Sequence, residues 1–104
     1  MNECNELTEL TTAYHQICRR LVTLKNEASQ DNTSARMAYD QCRIALQNKK
    51  ETLDHYLHEL HRVDTQEKAY YLHAARQELL NFKELVHEAE IKVKNARPMP
   101  PFLY

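Results

Sequence analysis

Not one of the 104 residues is glycine. Glycine supplies the positive backbone angles that tight hairpins and phosphate-cradling loops demand, so its absence argues at once against β-rich folds and Gly-loop nucleotide sites. What remains for a chain of this length is helix. All three prolines fall within "PMPPFLY", residues 98–104, so nothing before Pro98 forbids helix on backbone grounds.

The apolar residues confirm the period. From Glu3 to Glu27, Leu7, Leu10, Tyr14, Ile17, Leu21 and Leu24 recur at alternating spacings of three and four, a single seam of the coiled-coil type. Ala13, Cys18 and Val22 flank that seam and widen it beyond what a two-stranded zipper needs. Glu3, Glu6 and Glu9 at the start, with Arg19, Arg20 and Lys25 later, suit the helix dipole. "ASQDNTSA", residues 28–35, then collects turn-forming and capping side chains, and a link this short makes its flanking helices antiparallel neighbours.

Beyond Ser34 two further seams follow. Tyr39, Cys42, Leu46, Leu53, Tyr56, Leu60 and Val63 share one heptad frame, with Lys49 its only charged intruder. Leu72, Ala75, Leu79, Phe82, Val86, Ala89, Val93 and Ala96 share another, and the two frames do not join in phase. The slip falls on "RVDTQEK". A stutter would let one helix run through with the supercoil locally unwound. Alternatively Asp64 caps a new helix, with Glu67 at the capping-box position, and the chain reverses. The stretch has no Gly, Pro or Asn, and Asp64 and Lys68 form a favourable i,i+4 pair in an intact helix, so the sequence favours continuity.

The expected fold is therefore all-α, a single antiparallel helical hairpin of the coiled-coil kind. It has a short helix 3–27, a loop 28–34, a long helix 35–97 and a Pro-rich tail 98–104. The alternative is a three-helix bundle with helices near 3–27, 34–63 and 65–97. In the hairpin, Leu7, Leu10, Tyr14, Ile17, Leu21 and Leu24 form the intramolecular seam with Leu53, Tyr56 and Leu60. Leu72, Leu79, Phe82, Val86 and Val93 then lie beyond the first helix and must be covered by another protein chain, in a homo- or hetero-oligomeric coiled coil.

Function follows by elimination. With 14 Lys plus Arg against 15 Asp plus Glu, no net field draws the chain to nucleic acid. Apolar runs are too short for a membrane span or signal-peptide core. Three cysteines without CxxC spacing, Cys4, Cys18 and Cys42, read as reduced thiols of an intracellular protein, cytoplasmic or nuclear.

His55, His58 and His61 recur every three residues, but "HYLHELH" lacks the HExxH spacing, and three steps of three drift around the helix. No metal, cofactor, catalytic site or small-molecule substrate is expected, and the protein is not expected to be an enzyme. The terminal aromatic run suggests a piece of something longer. The function expected is a coiled-coil scaffold or adaptor segment in a larger complex. Alternatives are a spectrin-like three-helix spacer or an elongated BAR-like membrane-binding dimer, for which Arg36, Arg43, Lys49 and Lys50 would have to supply the basic surface.

Overall fold

A computed structural model describes residues 3–30 and 33–96. They form three helices of similar length, α1 (Glu3–Gln30), α2 (Thr33–Arg62) and α3 (Thr65–Asn95), with no strand among the described residues. The all-α expectation holds. The continuous helix 35–97 does not: it divides into α2 and α3, and with it the hairpin of a short and a long helix gives way to a three-helix bundle. The expected Pro-rich tail, 98–104, lies outside the described residues.

The division rests on Asp64. Its backbone is extended (φ −79°, ψ 178°) and its Oδ1 accepts from the amides of Gln66 at 3.1 Å and Glu67 at 3.2 Å, satisfying two donors that a new helix would leave open. The sequence favours continuity because the stretch holds no Gly, Pro or Asn and pairs Asp64 with Lys68 in an intact helix. A turn through positive φ, for which Gly or Asn would be needed, does not occur: no described residue takes one. One capped, extended residue after Val63 suffices to reverse the chain. Val63 itself still donates to Glu59 O at 2.9 Å, so α2 remains bonded up to the turn.

α1 also outlasts its expected end at Glu27. Ala28 is buried at 1% exposure and belongs to the core, and Ser29 bonds back to the Lys25 carbonyl at 2.9 Å. Arg36, one residue into the second turn of α2, donates to Ser29 O at 3.3 Å and satisfies one of the open carbonyls at the end of α1.

Packing buries all three seams on one another. Leu10, Tyr14, Ile17, Leu24 and Ala28 from α1 meet Ala35, Tyr39, Leu46, Leu53, Leu57 and Leu60 from α2. The same core takes Leu72, Ala75, Phe82, Val86, Ala89 and Val93 from α3. Each large side chain so buried contributes on the order of 1.5–3 kcal/mol. The bundle is a rod of 62 × 24 × 18 Å. Its radius of gyration of 17.1 Å exceeds the roughly 13 Å of a compact chain of this length, as three long parallel cylinders require.

Polar links tie the helices together pairwise. Arg20 grips Glu90 in a fork (Nη2 to Oε1 2.6 Å, Nε to Oε2 3.2 Å), and Arg76 reaches Glu6 at 2.6 Å. Both pairs join residues 70 apart in sequence, which fixes α1 and α3 as parallel, with α2 running between them in an up-down-up path. Lys49, the charged residue on the α2 seam, pairs with Glu78 of α3 at 2.6 Å. With side chains only 28% and 24% exposed, the pair pins the register of these two helices.

Candidate functional site

The five residues expected to face a partner are turned inward. Phe82 and Val86 are fully buried, Val93 and Leu72 nearly so, and Leu79 packs partly buried against the core. Folding α3 back on α2 covers this seam with the chain's own α1 and α2, and the assignment of Leu72, Leu79, Phe82, Val86 and Val93 to a contact with another chain is corrected accordingly. Of the seam expected inside the molecule, Leu10, Tyr14, Ile17, Leu24, Leu53 and Leu60 are buried, while Leu7, Leu21 and Tyr56 pack at its edge.

A polar cluster at the α1–α2 contact is built around Tyr14. Its hydroxyl donates to Asp54 Oδ1 at 2.5 Å and lies 3.5 Å from the Lys50 carbonyl, while Lys50 Nζ stands 3.5 Å from Asp54 Oδ2. Burial, reinforced by the bond to Asp54, pushes the Tyr14 hydroxyl far above its ordinary value. The adjacent Cys18 thiol is also raised, mainly by burial, against the lowering influence of Tyr14 and Lys50. Both groups therefore stay protonated further into alkaline solution than an exposed tyrosine or cysteine would. A thiol in that state is a poor nucleophile, and the cluster acts as a polar clip between α1 and α2.

The histidines His15, His55, His58, His61, His73 and His87 all lie exposed. Among the described residues no three His, Cys, Asp or Glu side chains gather as a metal would need. His87 Nδ1 lies 3.9 Å from Glu90, and His15 stacks obliquely against Tyr14 with ring centres 5.7 Å apart. Near the α2–α3 turn the rings of His55, Tyr56, Tyr71 and Tyr70 form a tilted row, centres 5.2–6.1 Å apart, with Tyr70 exposed at its end.

The outer surface carries what the seams do not. Val22, Met37, Ile44, Tyr70, Leu80 and Ile91 are large apolar side chains left 44–66% exposed. Val22 sits alone on α1, and Met37 and Ile44 lie seven residues apart on the outward side of α2. Leu80 and Ile91 stand out because polar residues interleave with them on one exposed stripe of α3, Gln77, Leu80, Glu84, His87 and Ile91.

Two surface hollows meet at Leu80 and Lys83. One lies on α3 among Leu80, Lys83, Glu84, His87 and Glu88, and the other in the groove between α1 and α3 over Ala13, Ile17 and Leu79. The α3 stripe keeps the alternating spacing of three and four, but too few of its residues are apolar for periodicity to single it out.

The four cations considered for a basic membrane-facing surface are each engaged: Arg36 with Ser29, Arg43 with Asp40 at 3.8 Å, Lys49 with Glu78 and Lys50 with Asp54. No helix among the described residues is long and apolar enough to cross a membrane. Compared with known protein families, curated proteins and solved structures, the chain matches none of them.

Proposed function

We propose that the chain is a non-enzymatic three-helix module of an intracellular scaffold or adaptor, holding other protein surfaces together in a larger complex. The observation that carries this reading is the division of apolar residues. The seams are spent on the internal core, and a second set, Val22, Met37, Ile44, Tyr70, Leu80 and Ile91, is left on the outside of a 62 Å rod. Exposed apolar groups rimmed by charges on a rigid helix are the usual form of a protein contact.

Against an enzymatic role stands the Cys18 thiol, half-buried and raised mainly by burial, which makes it a poor nucleophile. Against a membrane-binding role stands the engagement of Arg36, Arg43, Lys49 and Lys50 by neighbours. A spectrin-like spacer is a second reading, favoured by the up-down-up path, which sends α1 and α3 in the same direction along the rod.

Photo-crosslinking residues placed singly at positions 80, 91, 12 and 58, in the full protein in cells, test the proposal. An assembly module gives discrete protein adducts from 80 or 91 and far fewer from the exposed polar positions Thr12 and His58. Equal, diffuse labelling at all four sites would refute it.

A further inference from the structure

The exposed stripe of α3 is complementary to itself. We infer that two copies of this chain associate through it, with their α3 helices antiparallel across a two-fold axis. The inference rests on the assembly reading above and names the partner as a second copy.

The argument begins with exposure. Gln77, Leu80, Asn81, Lys83, Glu84, His87, Glu88 and Ile91 are all exposed, and they form one continuous face on the side of α3 away from the core. Leu80 is 56% and Ile91 44% exposed, three helical turns apart on this face. Within the face, Leu80, Lys83, Glu84 and His87 stand at i, i+3, i+4 and i+7. They line a hollow together with Glu88, and four residues at that spacing form the hole that accepts a side chain from a facing helix.

Charge decides the occupant and its direction. Laid antiparallel with Leu80 beside Ile91 of the second copy, the stripe places Glu84 beside His87 of that copy, and the hollow receives that same His87. On the flank nearer α1, Lys83, which makes no hydrogen bond or ion pair among the described residues, faces the level of Glu90. On the other flank Asn81 faces Glu88. By two-fold symmetry each of these contacts occurs twice.

A parallel pairing in register would instead set Glu84 on Glu84 and move Lys83 away from Glu90 to Glu88, leaving the central layer repulsive. The groups that face His87 in the antiparallel arrangement are Glu84, Leu80 and Lys83 of the second copy, with Glu90 of its own helix 3.9 Å away. Glu90 keeps Arg20 as its partner, so the same carboxylate links α1, α3 and the incoming Lys83.

The contact is short. From Leu80 to Ile91 it covers about 17 Å of helix, and it buries less than the ~1,200–2,000 Å² of a stable complex, so a Kd on the order of 100 μM is expected. Association of that strength tells when many copies are held close together, as in a scaffold.

Sedimentation equilibrium of the full chain, from micromolar to about 1 mM, is the direct test. The expected result is a monomer–dimer equilibrium that Leu80→Glu with Ile91→Glu abolishes, with the far-ultraviolet circular dichroism unchanged because both residues are exposed. Glu84→Lys alone weakens the dimer at least several-fold, and adding His87→Glu restores it, since the swapped pair again meets its opposite across the two-fold.

With Leu80→Cys and Ile91→Cys in one chain, oxidation yields an interchain peptide joined 80 to 91, identified by mass spectrometry. A strictly monomeric chain at 1 mM, a dimer indifferent to the two glutamates, or a link from 80 to 80 would each overturn the inference. None of these would touch the broader assembly reading, which the cellular crosslinking tests separately.

Discussion

α3 carries two stripes of residues at the same alternating spacing of three and four, one turned to the core and one to solvent. The inner stripe, Leu72, Ala75, Leu79, Phe82, Val86, Ala89 and Val93, is apolar throughout, and all but Leu79 of it is buried. The outer stripe, Gln77, Leu80, Glu84, His87 and Ile91, interrupts its apolar residues with charge and stays exposed. Spacing therefore marks the helix, and the share of apolar residues marks the side that is covered. Neither says what does the covering. That was decided some ten residues upstream, at Asp64, whose cap turns α3 back on α2 and gives the inner stripe an intramolecular partner.

Several substitutions would break or sharpen this contrast. Phe82→Ala removes the largest fully buried side chain and should cost about 3–5 kcal/mol in urea unfolding, whereas an outer-stripe truncation should cost almost nothing. Lys49→Ala leaves Glu78 unpaired at the α2–α3 seam. A loss of about 1–2 kcal/mol is expected, and Lys49→Met with Glu78→Leu should recover most of it if the pair sets register more than stability.

Asp64→Ala removes the cap and should cost about 1 kcal/mol. X-ray scattering should still give the short rod, because burial of Phe82 and Val86 outweighs one cap. A particle near 100 Å would mean that Asp64 alone holds the inner stripe inward.

Tyr14→Phe should cost about 0.5–1.5 kcal/mol and also changes the alkaline limb of stability. The folded hydroxyl is raised above its ordinary value of 10.0, so its contribution is complete below about pH 10. It is lost above that value, where the unfolded chain ionises first. The variant should show a shallower alkaline slope, with Tyr39, raised by burial as well, accounting for part of what remains. Smallest of all, Leu80→Ala should move stability by no more than about 0.5 kcal/mol while weakening self-association.

Much of the bundle was legible in the residues alone. The α1 seam, the α2 seam and the inner stripe of α3 all follow from spacing, because burial of one helix face demands it whatever lies opposite. The capping set at residues 28–34 marked the first reversal, although Ala28 belongs to the core and α1 continues to Gln30. The second reversal was misread because turns are recognised by Gly, Pro and Asn, and this one uses a single extended Asp. The partner-facing role given to Leu72, Leu79, Phe82, Val86 and Val93 fell with it. Lys49 looked like a flaw in its seam and is the half of an ion pair whose other half, Glu78, is 29 residues away.

By itself, then, the sequence determined that this chain is helical, that it has three apolar seams, and that no glycine-dependent loop or turn is available to it. Those are consequences of local backbone freedom and of periodicity within one helix. Only the tertiary structure decided that the seams satisfy one another, that α1 and α3 run parallel through Glu6–Arg76 and Arg20–Glu90, and that Tyr70, Leu80 and Ile91 are the large apolar side chains left exposed on α3. The reason is physical: a helix of either topology satisfies its own backbone equally well. The choice between hairpin and bundle is made by side chains far apart in sequence, which meet only once the chain has turned.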